Sequence, residues 1–140
     1  MPAKGSAEWN GDLASGSGTF TAGESISGEY SAKSRFEDAP GANPEQLIAG
    51  AHASCFSMAL AGALANAGTP AESIKTDAAV TIRFVDGTPT ITTIALHTVG
   101  TVPGIDEATF QGAARGAKAG CPVSRALAGV GEITLEATLA

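Results

Sequence analysis

The chain has 140 residues, 44% of them hydrophobic and 16% charged, which is the composition of one folded globular domain, residues 1–140, with enough apolar material for a core. Its formal net charge of -6 excludes nucleic acid or an anionic membrane as the main partner, since both require clustered Lys and Arg. No basic start followed by an apolar run and a small-residue cleavage site is present near Met1, so the chain reads as cytoplasmic. In that compartment two cysteines, Cys55 and Cys121, point to redox chemistry more than to a structural staple.

The first 32 residues are rich in Gly, Ser and Thr, and the runs 6–10, 18–22 and 25–30 between turn residues predict a small meander of strands. The run GSGTFTAG at 16–23 lacks the closing Gly-Lys-Ser/Thr of a phosphate loop, and hairpin turns account for its glycines. Asn43-Pro44-Glu45 is a strong helix start: Asn caps free amides, Pro suits the first helical position, and Glu sits in the positive first turn. Gly68 and Pro70 stop the helix, which is therefore expected from 44 to about 67.

Two strands rich in Val, Ile and Thr follow at 77–85 and 90–102, joined by the hairpin pair Asp86-Gly87. Asp106 caps a second helix to about 119, with Phe110, Ala113, Ala114 and Ala117 on one face. Cys121-Pro122 opens a short helix toward Leu127, and residues 132–139 alternate apolar and polar as a half-buried strand does. These elements add up to an α+β layer structure.

The central helix makes a demand on that structure. Residues 47–65 carry no Asp, Glu, Lys or Arg. With seven Ala, two Gly, two Ser and a His, and no Trp, Tyr, Lys or Arg flanking it as an anchor, the stretch is too weakly hydrophobic for a membrane span. A helix apolar all round must still be enclosed, and 140 residues supply little material for a full shell. The expected solution is a second copy, with central helices packed in a two-fold homodimer.

Cys55 lies in the middle of this helix, where the dipole gives it little help, so an outside cation or hydrogen-bond donor must lower its pKa. His52, one turn earlier, and Arg35 are the candidates. Cys121 precedes a proline at a helix start, where free amides favour a thiolate, and from local physics alone it can be the more acidic of the two. A zinc site made of Cys55, Cys121, His52 and His97 lacks the usual close ligand pairs. Arg83, Arg115 and Arg125 read as surface charges and His97 as a strand residue. Trp9, Phe56 and His52 are the candidates for lining a substrate pocket.

The segment SRFEDAPGANPEQLIAGAHASCFSMAL at 34–60, followed by AGCPVSRAL at 119–127, resembles the OsmC/Ohr family of osmotically inducible and organic hydroperoxide resistance proteins. Its wording is closer to the OsmC branch. The resemblance implies an OsmC-like fold, with antiparallel sheets wrapped around a buried central helix in an intertwined homodimer whose active sites lie at the interface. It implies a thiol-dependent peroxidase that reduces organic hydroperoxides and needs no metal, flavin or haem. Cys55 then matches the peroxidatic cysteine, Cys121 the resolving cysteine, Arg35 the catalytic arginine and Glu45 the glutamate that pairs with it. An external thiol or dithiol would restore the enzyme. On one straight helix Glu45 and Cys55 are separated by about 15 Å of rise, so either Arg35 bridges that gap or the partner's pair comes close. Two other readings remain at this point: a cysteine hydrolase with His52 or His97 as general base, and a non-enzymatic thiol redox sensor or binding module.

Overall fold

A computed structural model describes all 140 residues. The chain divides into two units, Met1–Leu47 and Ile48–Ala140.

In the first unit, β1 (Gly5–Asn10), β2 (Ser17–Ala22) and β3 (Ile26–Tyr30) form an antiparallel sheet in the order β1-β2-β3. Gly18 lets β2 and β3 approach, because a Cβ there would sit 2.6 Å from the Tyr30 ring. Tyr30 also packs against Trp9, at 5.4 Å between ring centroids, and against Phe20 at 6.2 Å. A short helix that the sequence reading did not anticipate, α1 (Ala32–Phe36), follows β3. Ser31 and Ser34 make it possible: each side chain accepts from the other's backbone amide, at 3.0 and 2.8 Å, which satisfies two amides at the helix start.

The long helix α2 (Pro44–Asn66) begins at the end of this unit and runs on into the second. Asn43 caps it as expected, accepting from Gln46 N at 2.9 Å, while Gln46 Oε1 accepts from Asn43 N at 3.1 Å. In the second unit His52, Phe56, Leu60 and Leu64, spaced four apart, form a fully buried stripe along α2. Ala51, Ser54, Met58, Ala61, Gly62 and Ala65 are exposed. This chain therefore buries one stripe of α2 and leaves another apolar one uncovered. By length and composition alone α2 also meets the requirement for crossing a membrane.

The buried stripe joins a core with β4 (Ser73–Val85), β5 (Thr88–Thr101), α3 (Glu107–Gly120) and β6 (Glu132–Leu139), through Ile94, Leu96, Phe110, Ala114 and Ala117. β4 and β5 form the expected hairpin. Asp86 and Gly87 have φ of 50° and 78°, the left-handed pair that a tight hairpin turn requires. β6 pairs with β5 in parallel, so this sheet is mixed, not purely antiparallel as anticipated. The reason is the connection: α3 and α4 (Pro122–Ala126) carry the chain back to the end from which β5 starts. Gly100 leaves room for the Phe110 ring, which would lie 2.5 Å from a Cβ at that position. Asp106 caps α3, accepting from Thr109 N at 2.8 Å.

Candidate active site

In the second unit the two cysteines come together from distant parts of the sequence. Both are free thiols. Cys55 is half-buried on α2 and Cys121 is buried at the cap between α3 and α4. The two thiols lie close enough that the protonation of one sulfur shifts the pKa of the other. Beside them lies an open groove of about 550 Å³, lined by Ala51, Ser54, Cys55, Met58, Ala59, Pro122 and Val123. Its walls are almost wholly apolar, and Cys55 places a thiol among them.

The environments push the two thiols in opposite directions. Burial raises the Cys55 pKa above its ordinary value; the neighbouring Cys121 raises it further, while the Val123 amide works against both. Burial also acts to raise Cys121, but the Ser124 hydroxyl and amide, the Cys55 thiol and the Val123 amide outweigh it and bring the pKa down. The N-cap supplies the geometry, since Ser124 N donates to Cys121 Sγ at 3.3 Å. Within this unit Cys121 is therefore the readier thiolate, as local physics allowed. Cys55 has no cation here to offset its burial.

His52 is fully buried. Its Nε2 is 2.7 Å from Ser124 Oγ, its Nδ1 has no hydrogen-bond partner, and burial lowers its pKa. It takes no part in the groove lining, and neither does Phe56, which is a core residue with no exposed surface. His97 is exposed on β5, opposite Asp77 and Glu136 on the neighbouring strands, and Arg83, Arg115 and Arg125 are exposed. No three His, Cys, Asp or Glu side chains are arranged to hold a metal ion.

The other candidates lie in the first unit. Arg35, on α1, grips Glu45, in the first turn of α2, through a fork: Nε lies 3.1 and 3.2 Å from the carboxylate oxygens and Nη2 lies 2.7 Å from Oε1. Two local features hold the fork together. Ser34 Oγ donates to Ala42 O at 2.8 Å, and Asn43 Nδ2 donates to Ser34 O at 3.1 Å, so α1 is tied to the start of α2. Arg35 Cζ also lies 5.5 Å from the centroid of the Phe36 ring. Trp9 is half-buried on β1, with its indole N–H donating to Gly11 O at 3.0 Å. Ser124 was missed by the sequence reading, although its position three residues after an N-cap is where a side chain returns to the cap.

The pattern described as OsmC-like protein matches residues 36–136. Peroxiredoxin OsmC of Escherichia coli (strain K12) is 47% identical over 135 residues, covering 95% of this chain and 93% of that protein, and the Shigella flexneri protein of the same name matches equally. Among solved structures, an OsmC like protein from Mycoplasma pneumoniae has a TM-score of 0.73 at 21% identity, covering 99% of this chain and 97% of that one. The organic hydroperoxide resistance protein OhrB of Bacillus subtilis has a TM-score of 0.69 at 22% identity, with 98% of both chains covered. At those identities the two structures speak for the fold, while the sequence match and the family pattern speak for descent: the chain belongs to the OsmC family.

Proposed function

We propose that this protein is a cysteine-based peroxidase that reduces organic hydroperoxides, and hydrogen peroxide as well, in defence against oxidative stress. The observation that carries the reading is the meeting of a groove-facing thiol, Cys55, with a second, more acidic thiol, Cys121, beside apolar walls suited to an alkyl peroxide. The name peroxiredoxin borne by its relatives at 47% identity supports it. The Cys55 thiolate attacks the distal peroxide oxygen, the alcohol leaves, and Cys55 becomes a sulfenic acid. Cys121 condenses with it to a disulfide, releasing water, and an external thiol or dithiol reduces the disulfide. No cofactor enters this sequence.

Arg35 is the cation in this proposal, holding Cys55 as thiolate and stabilising charge on the peroxide oxygens, with Glu45 fixing the guanidinium. A homodimer with interfacial active sites is part of the reading. It is supported by the uncovered Ala, Gly and Met positions of α2. So is a cytoplasmic, single-domain protein that meets neither nucleic acid nor membrane, in keeping with the net charge of -6. The hydrolase reading lacks a base beside Cys55: His52 Nε2 faces Ser124 on the Cys121 side, His97 is exposed on β5, and neither lines the groove.

Incubation with cumene hydroperoxide and excess dithiothreitol tests the proposal. Sustained peroxide loss that disappears in Cys55→Ser is expected; one stoichiometric oxidation without turnover would leave a redox sensor instead.

A further inference from the structure

Behind Cys121 runs a line of buried polar side chains that the peroxidase scheme leaves without a role. Cys121 Sγ and Ser124 Oγ are 3.3 Å apart, and Ser124 Oγ and His52 Nε2 are 2.7 Å apart. All three residues are interior, with His52 at 0%, Cys121 at 1% and Ser124 at 7% exposure. Ser124 is the ring's hydrogen-bond partner, since Nδ1 is buried with none. A buried imidazole with one nitrogen unsatisfied is a cost that an apolar side chain at this core position would avoid. The site retains a proton acceptor there, aimed through a hydroxyl at the sulfur that must lose a proton.

We propose that Ser124 and His52 form a proton relay to Cys121, in which Ser124 touches the reacting sulfur as a catalytic residue and His52 acts through it as a positioning residue and proton acceptor. The inference rests on the peroxidase reading above. In the resting arrangement Cys121 S–H donates to Ser124 Oγ, and Ser124 O–H donates to neutral His52 Nε2, whose own proton lies on Nδ1. When Cys55 is a sulfenic acid, the Cys121 sulfur attacks the Cys55 sulfur. The S–S bond forms with the electron pair of Cys121, the S–O bond of Cys55 breaks, and hydroxide leaves. The thiol proton passes to Ser124 Oγ as the Ser124 proton passes to His52 Nε2. The imidazolium then returns a proton through Ser124 to solvent while the hydroxide, released into the open groove, takes one up from it, so thiol and sulfenic acid become disulfide and water with no charge left over. The Cys121 sulfur is oxidised and the Cys55 sulfur reduced, and no oxidant is needed beyond the peroxide already consumed. Burial of His52 suits the last transfer, because a desolvated imidazolium holds its proton weakly.

The test is a single turnover of the full chain with one equivalent of cumene hydroperoxide. Sulfenic acid at Cys55 is trapped with dimedone and counted by mass spectrometry, disulfide formation is followed separately, and both are measured in H₂O and D₂O. In Ser124→Ala the ratio of condensation rate to oxidation rate should fall about tenfold, the effect of losing one buried hydrogen-bonding group, and Ser124→Thr should recover most of it. His52→Gln is the sharper variant. Its amide can still hydrogen-bond Ser124 but cannot take up a proton, so a merely structural His52 predicts native behaviour, whereas the relay predicts slowed condensation and loss of the solvent isotope effect on that step. A native condensation rate and isotope effect in His52→Gln, or an unslowed Ser124→Ala, overturns the relay while leaving the peroxidase standing. Absence of both sulfenic acid and Cys55–Cys121 disulfide after peroxide in the native protein overturns the peroxidase reading, and the relay with it. Should Ser124→Ala fail to fold, the isotope effects of Ser124→Thr and His52→Gln carry the test.

Discussion

The Arg35–Glu45 pair is unequally buried, and that inequality orders the cost of removing each partner. The Glu45 side chain is 7% exposed and that of Arg35 36%. Arg35→Ala deletes all three hydrogen bonds of the fork and strands a buried carboxylate. Breaking a buried pair in this way costs up to about 3–5 kcal/mol; solvent around Arg35 and the α2 N-terminus beneath Glu45 discount it to roughly 2 kcal/mol. Glu45→Ala instead releases a guanidinium that can turn to water, and loses mainly the first-turn interaction with the helix dipole, about 0.5–1 kcal/mol. In Arg35→Ala/Glu45→Gln no charge is left buried, so the double variant should be more stable than Arg35→Ala alone. Urea unfolding of the four proteins measures this order. Activity should follow a different order: both proteins lacking Arg35 lose the stabilisation of developing charge and should oxidise Cys55 at least about a hundredfold more slowly in stopped-flow assays. A double variant that recovers stability without rate separates the electrostatics of folding from those of catalysis. Stability of Arg35→Ala equal to native would refute the burial argument, and a fast double variant would remove Arg35 from the site.

Cys121→Ser should react once with peroxide and then overoxidise to sulfinic and sulfonic acids under excess peroxide, read by mass spectrometry; unchanged turnover would remove its resolving role. Refolding equal amounts of Cys55→Ser and Arg35→Ala together should restore about a quarter of native activity, because half of the dimers would be mixed and one site in each complete. That expectation rests on the roughly 15 Å of helix between Glu45 and Cys55, and no recovery would mean that each chain serves its own thiol. His52 has its pKa lowered below the ordinary 6.5 by burial, so the unfolded chain binds a proton first as pH falls. Its contribution to stability is therefore present above pH 6.5 and lost as pH falls through the lower folded value. A series of urea midpoints should drop less steeply with acid in His52→Gln, and an identical slope in both proteins would contradict the assignment.

What could be read beforehand was whatever has a local cause. Asn43-Pro44, Asp86-Gly87, Asp106 and Cys121-Pro122 each fix a helix start or a turn within a few residues, and all four stand where their side chains demand. α1 was missed because Ser31 and Ser34 look like loop residues until each is seen to satisfy the other's amide. The parallel pairing of β6 was missed because alternation gives a strand its faces and not its neighbour or direction. The same limit hid Ser124 and the partner of His52, since the 2.7 Å bond joins residues far apart in sequence. Cys55 and Cys121 could be singled out by type, but their opposite pKa displacements depend on the packing of α4 beside α2.

Those opposite displacements bear on how the disulfide is reduced. An incoming thiolate can attack either sulfur, and attack is favoured at the accessible one with the more acidic thiol as leaving group. Cys55 faces the groove, whereas Cys121 is 1% exposed. Cys121 also has the lower pKa, through the donors at its N-cap. Access and leaving-group strength thus select the same direction, so the reductant should form its mixed disulfide on Cys55 and expel Cys121 first. Peptide mapping of the complex with a Cys→Ser variant of a dithiol reductant reads this directly, and a reductant trapped on Cys121 would contradict it. The same hydrogen bonds then serve both halves of the cycle. They ready Cys121 to attack the sulfenic acid, and they let it depart when the disulfide is opened. Cys55 is left with the one task its own helix does not equip it for, the attack on peroxide, and that is the task for which the proposal requires Arg35.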